Sequence, residues 1–347
     1  MSQQWTLSLE KQIGYQIVLE ATYAANRGTD FPEGNLNRNQ LTQAEINEVL
    51  ANPGAKVSSP CANTAGTLIT LAQSLVEFPC YLSVADTTPH EGSYNGQYLE
   101  LNAQRRAGHG LTILFAYTVG KLLDDSINTP LAYLSASTNL NGFQNIYNPR
   151  AEYSLDPTDV SQRSTTSMLY DLPFGKGNRF SSSNRFVNGL IGGYQVNAIA
   201  TFQTGFPLAI SGDSNNPYAT RPNFTPGQST ILRNRSKSEW FNTAAFSNAP
   251  NVSGNSFGNV PRTLPNNRAA GTEDFDISVF KTTPITQRAS LQFRVETFNT
   301  FNHVNYSAPG TTFSSASATG PNNNPNFGVV SAAAAGRQVQ LALKLIF

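Results

Sequence analysis

The residues whose types could do chemistry are few: three histidines, two cysteines and one adjacent pair of aspartates. His90, His109 and His303 stand far apart, with no ligand spacing around them, whereas a zinc site draws its donors together at short intervals. Asp124–Asp125 ends an apolar run and could offer oxygens to a cation. A lone acidic pair falls short of the usual oxygen-ligand set, so both are expected to be solvated loop charges. "GKGN", from Gly175, is a turn without the rest of a phosphate loop. No nucleophile has a base in view. The chain thus offers no catalytic residues and no metal ligands, calls for no cofactor, and is least suited to being an enzyme. Cys61 and Cys80 lie in a segment that reads as loop. They form a disulfide if the compartment is oxidising, and are two free thiols if it is not.

Composition narrows the field. Lys+Arg 23 against Asp+Glu 22 is nearly neutral, and no basic run marks a nucleic-acid partner. Charged residues make up 13 %, about half the roughly 25 % of soluble domains; Asn, Ser, Thr, Gln and Gly carry the polarity instead. No stretch approaches the ~18 apolar residues of a spanning helix. The longest apolar run, "LTILFAYTVGKLL" (Leu111 to Leu123), is short and rich in β-branched and aromatic residues.

The elements that must position any site are strands, because apolar residues recur every second position. Alternation runs through Gln4–Gln12, Tyr15–Asn26, Tyr94–Arg106, Leu111–Val119, Arg163–Gly175, Ile191–Ile210, Glu273–Ile285, Ala289–Asn302 and Val339–Phe347. Helical spacing appears only briefly, in "TQAEINEVLA" (Thr42 to Ala51) and "GTLITLAQSL" (Gly66 to Leu75). Many strands have the ~9–11 residues of a tilted membrane strand. Their connections alternate between short, near Gly14, Gly108, Gly175–Asn188 and Pro284–Arg288, and long, at 27–93, 124–160, 211–272 and 303–335. One strand face is apolar; the other carries Thr, Asn, Gln, Ser and single charges such as Glu20, Glu100, Arg294 and Glu296. In lipid, backbone groups must be paired within the sheet, which favours a closed sheet with an apolar exterior and a wet interior. The fold class is therefore all-β: an antiparallel transmembrane β-barrel, or its C-terminal part, with about nine strands, short periplasmic turns and long extracellular loops.

Alternation is sharpest at the end of the chain. Val339, Leu341, Leu343, Leu345 and Phe347 share one face, and this aromatic-ended strand resembles the C-terminal assembly signal of outer-membrane proteins. At the other end, "MSQQWTLSLEKQIG" has neither the basic start nor the continuous apolar core of a signal peptide and reads as strand.

Several segments together resemble the C-terminal half of TonB-dependent outer-membrane receptors of the Oar-like type. They are "QWTLSLEKQIG", "VLEATYAANRGT", "YNGQYLELNAQRRAGHGLTILFAYTVGKLLDD", "LYDLPFGKGNRF", "LIGGYQVNAIATFQTGFPLAI", "EWFNTAAFSN", "DFDISVFKTTPI" and "LQFRVETFNTFNHVNY". Such receptors have a signal peptide, a small carboxypeptidase-regulatory-like domain, a plug and a barrel of about 22 strands. By this resemblance residues 1–347 are the C-terminal segment of the barrel, lacking signal peptide, regulatory-like domain and plug. The bacterial outer membrane is the expected location. Expected partners are its lipid, the barrel-assembly machinery and, only through the missing plug, the TonB system.

The resemblance implies active uptake of a bulky nutrient such as a siderophore, oligosaccharide or peptide. Ligand contact would come from the loops, with Phe78, Tyr81, Tyr133, Tyr147, Tyr218, Trp240 and Phe241 as candidates beside a plainer role in loop packing. A passive pore of oligomerising chains, and a structural outer-membrane or surface β protein, remain open as alternatives.

Overall fold

The structure, a computed structural model, describes residues 1–347 apart from 32–35, 88, 107–109, 126–143, 213–220, 249–256 and 316–321. Nine long strands form one sheet among the described residues. They are β1 (Ser2–Ile13), β2 (Ile17–Phe31), β3 (Gly92–Arg106), β4 (Leu111–Asp124), β5 (Gln162–Asp171), β6 (Tyr194–Gln203), β7 (Thr272–Pro284), β8 (Ser290–Phe298) and β9 (Gln338–Ile346). Each pairs antiparallel with the next in chain order, which leaves β1 and β9 as the edges.

Register converts alternation into two faces. On one, Leu111, Tyr170, Val196, Val279, Val295 and Leu341 stand in a single row across β4 to β9. On the other, Ser8, Thr22, Glu100, Thr118, Arg163 and Gln203 run across β1 to β6. The apolar face is bare: Leu7, Leu9 and Leu343 are 73 %, 75 % and 67 % exposed. So large an uncovered apolar surface belongs against lipid, where the sheet ladder satisfies the backbone. No helix among the described residues is long and apolar enough to cross a membrane.

The polar face also carries apolar side chains, Phe280, Phe298 and Ile346 among them. Leu114, Leu169 and Ile199 cluster around Ser167 there, all exposed.

All four long connections, 32–91, 125–161, 204–271 and 299–337, leave the same end of the sheet. Three of those at the other end are short; the fourth, 172–193, is longer and carries a helix at Arg185–Ile191. The described residues of the long connections fold into a cap with two apolar cores. One joins Leu208, Ile210, Phe241, Phe246, Val260, Leu264, Phe313 and Phe327 from the third and fourth connections. The other, in the first, packs Leu41, Ile46, Val49, Ala72 and Val76, with Phe257 reaching in from the third.

Most strand boundaries lie within a few residues of the sequence expectation, with two departures, in Ile191–Ile210 and in Gly66–Leu75. The run Ile191–Ile210 is not one strand: β6 stops at Gln203, and Leu208, Ala209 and Ile210 are fully buried in the cap. Thr42–Ala51 is helical as expected, forming α1 (Gln43–Ala51), where Thr42 and Glu45 form a reciprocal capping box. In Gly66–Leu75, by contrast, Leu68–Thr70 is a strand paired with Lys56–Ser58, and only α2 (Leu71–Leu75) is helical. Ile69 and Thr70 are β-branched, and the Thr70 hydroxyl accepts from Gln73 N (3.1 Å), which starts the helix after it.

Candidate functional site

The cap is the part of the molecule shaped by long-range side-chain chemistry. Three arginines of the third connection bind three carboxylates on or beside β4 and β5. Arg221 grips Glu152 through both oxygens, at 2.6 and 2.9 Å, with both side chains sealed from water. Arg262 binds the carboxylate and the main-chain oxygen of Asp124, the last residue of β4. Arg268 binds the Asp159 carboxylate and donates to Asp159 O and Gly205 O. Asp159 in turn accepts from Leu122 N of β4 at 2.6 Å. Bidentate pairing fixes direction as well as distance, so the loops are held to the strand tops at a defined angle.

The expectation for Asp124–Asp125 is corrected here. Asp124 is buried and paired with Arg262, and Asp125 accepts from the Ser93 backbone and hydroxyl. Burial in water-free surroundings demands a partner, and arginine supplies it. Among the described residues no group of three or more His, Cys, Asp or Glu could hold a metal ion.

Two glutamines tie the first three connections together. Gln40 Nε2 donates to Gln144 O (3.1 Å), and Gln40 Oε1 accepts from Ile146 N (3.0 Å). Gln144 Nε2 donates onward to Gly258 O.

The aromatic candidates divide by burial. Phe78 and Tyr81 are exposed on the first connection, where the Asn39 amide donates to both of their carbonyls (3.1 and 2.7 Å). Tyr147 is half exposed; its hydroxyl donates to Gln40 O (3.2 Å). Burial pushes that phenol up from its ordinary 10.0, with help from Glu45 and Glu77. Trp240 lies elsewhere, its Nε1 donating to Arg268 O (2.8 Å) and its ring 6.4 Å from Tyr306.

Phe241 corrects the sequence reading. It is 0 % exposed and its ring meets Phe246 and Phe327 edge-on, so it packs the cap and offers no surface to a ligand. Tyr133 and Tyr218 lie outside the described residues. Cys61 and Cys80 are joined by a disulfide that closes off part of the first connection. Val339, Leu341, Leu343 and Leu345 face outward on β9, and Phe347 follows it, 95 % exposed.

The structure also reveals a cleft that sequence reading missed. It is an open groove of about 910 Å³ where the cap meets the upper wall, lined among others by Tyr117, Phe202, Trp240, Phe301, His303 and Tyr306. Its residues come from six separate stretches of chain, so no local motif marks it.

A meander with one lipid-ready face, one wet face and all long connections at one end defines a membrane β-barrel wall. Residues 1–340 match the family model described as the outer membrane beta barrel domain. The chain belongs to that family, and its place is the bacterial outer membrane. Among solved structures it is similar to the outer membrane transporter YddB from Escherichia coli, at 7 % identity and TM-score 0.45, over 99 % of this chain and 32 % of that one. It is also similar to the FrpB iron transporter from Neisseria meningitidis, at 12 % identity and TM-score 0.41, over 99 % of this chain and 31 % of that one. The chain thus spans about a third of the length of these transporters. No curated protein matches it significantly.

Proposed function

We propose that this chain is the C-terminal wall of an Oar-like, TonB-dependent outer-membrane receptor that takes up a bulky nutrient, such as a siderophore, an oligosaccharide or a peptide. The observation that carries the reading is the cap: four long connections on one end of an amphipathic wall, joined by buried ion pairs, glutamine hydrogen bonds and shared apolar cores. A rigid, elaborated surface outside the membrane suits capture of a large solute better than simple passage. The exposed aromatics Phe78, Tyr81 and Tyr147 are the contacts we assign to the ligand.

Two features fit a larger barrel with an internal plug. β1 and β9 both run from the cap end to the turn end, so they cannot pair antiparallel with each other. Antiparallel closure takes an odd number of further strands, which the rest of such a receptor would supply. Leu114, Leu169 and Ile199 on the wet face offer an apolar seat to an internal domain. The TonB system would act through that plug, and β9 with Phe347 would be the strand read by the assembly machinery.

The test is uptake in the native host. Deleting the gene, or the host's TonB, should abolish growth on the same member of a panel of bulky nutrients. Unchanged growth in both strains across the panel would reject active uptake. A passive pore, favoured by the two free edges, predicts instead steady conductance when the isolated chain is added to planar bilayers.

A further inference from the structure

We infer that the connection 172–193 is a membrane anchor: it seats in the periplasmic leaflet of the outer membrane, with its apolar side chains among acyl chains and its cations on anionic glycerophospholipid headgroups. The inference goes beyond uptake and rests only on the wall and its orientation.

The helix of this connection, α3 (Arg185–Ile191), is well made. Asn184 caps its start, accepting from Phe186 N (2.9 Å) and Val187 N (3.5 Å), and Gly192 N donates to Asn188 O (3.0 Å) at its end. Yet it buries none of its residues. Phe186 and Leu190, one turn apart on the same side, are 87 % and 71 % exposed, with Val187 beside them and Phe180 just before. A helix at the surface of a water-soluble domain turns such a face to the core. Here no core receives it.

Position identifies what does. Lys281 stands in the apolar row of the wall with Tyr194, Phe293 and Leu343. Its ammonium lies 4.6 Å from the Tyr194 ring centroid and donates to Gly189 O (2.7 Å) and Gly192 O. The end of α3 is therefore fastened to the lipid-facing side of the wall, near the turn end of the apolar band. The bare face of the helix continues that band.

Charge is consistent with a headgroup layer. Residues 172–193 contain Lys176, Arg179 and Arg185 and no carboxylate. Cations beside an apolar helical face are the chemistry of segments that lie in a membrane interface, attracted by anionic lipid.

The test uses the full chain with its disulfide intact, in which no described cysteine is free. Phe186→Cys, Ala200→Cys on the apolar face of β6, and Gln287→Cys in the β7–β8 turn each carry an environment-sensitive fluorophore. The labelled proteins are placed in vesicles of phosphatidylethanolamine and phosphatidylglycerol containing a spin-labelled phosphatidylcholine quencher. Quenching at 186 should approach that at 200 and exceed that at 287 by about twofold or more. Replacing phosphatidylglycerol by phosphatidylcholine should weaken it at 186 and leave 200 unchanged. If 186 behaves like 287 while 200 is quenched, the helix stands in water as a surface for a periplasmic protein, and the anchor is overturned. If 200 is also unquenched, the wall and the anchor fall together.

Discussion

The Arg221 guanidinium and the Glu152 carboxylate meet through two parallel hydrogen bonds, at 2.6 and 2.9 Å, inside the cap and out of reach of water. They lie 69 residues apart in the chain. Removing one partner strands a buried charge, and Arg221→Met should cost the cap about 3–5 kcal/mol. Replacing both, as Glu152→Leu with Arg221→Met, should recover much of that loss. Limited proteolysis of the cap in detergent reads it: the single variant is cut fast, the double variant slowly, and the strand wall is spared in both.

Asp156 gives the cap a pH dependence. Burial raises its carboxyl from the ordinary 3.8, against two bonds from Thr158 that lower it and with Asp159 adding to the rise. A folded value above the unfolded one means that the group's stabilising contribution is whole below the ordinary carboxylate range and is lost as pH rises through the raised value. Asp156→Asn keeps the oxygen that Thr158 donates to. Cap stability followed by proteolysis should decline through this window in the parent and stay flatter in the variant.

Reduction of Cys61–Cys80 should loosen only the first connection. The bridge spans 19 residues, and a loop of that size gains about 3 kcal/mol from cross-linking. Asn39 still holds Phe78 and Tyr81 by their carbonyls. Mass spectrometry should find new cleavage between residues 60 and 82 after reductant and none in the wall.

Tyr98 covers two glycines, Gly96 on its own strand and Gly120 on β4. A side chain at Gly120 would occupy the space of the Tyr98 ring. Gly120→Leu should lower stability by about 1–3 kcal/mol, the range for overpacking. Heat-modified mobility on electrophoresis would register this as a lower unfolding temperature.

The aromatics of the cap should separate by role. Phe241→Ala empties a fully buried site and should cost about 3–5 kcal/mol. Tyr81 is exposed at 63 %, so Tyr81→Ala should leave the melting temperature within about a degree while, on the proposed receptor function, weakening binding of the ligand. Equal losses of stability in the two variants would reject this division.

The wall was legible because a period of two states both where a strand lies and which way each side chain faces. Leu7, Tyr23 and Leu99 could be assigned to one face before their register was seen. The cap was much less so. Leu208 and Ile210 continue the alternation of β6, and only the length of that run, well beyond the ~9–11 residues a membrane strand needs, hints that it ends early. Asp124 looked like a solvated charge because its partner, Arg262, is 138 residues away. Phe241 looked like Trp240 because local sequence does not encode burial in a core assembled from two connections. Helix α3 lay inside a segment expected to be a turn, and its seven residues are too few to establish a helical period.

The central claim is that a membrane wall holds the cap outside and the turns inside. Cysteine labelling in intact cells tests it most directly, with Tyr81→Cys in the cap and Gln287→Cys in the β7–β8 turn. A membrane-impermeant maleimide should label position 81 on intact cells, and position 287 only after the outer membrane is permeabilised. Labelling of 287 but not 81 on intact cells would invert the protein, and equal labelling of both would remove it from the membrane altogether.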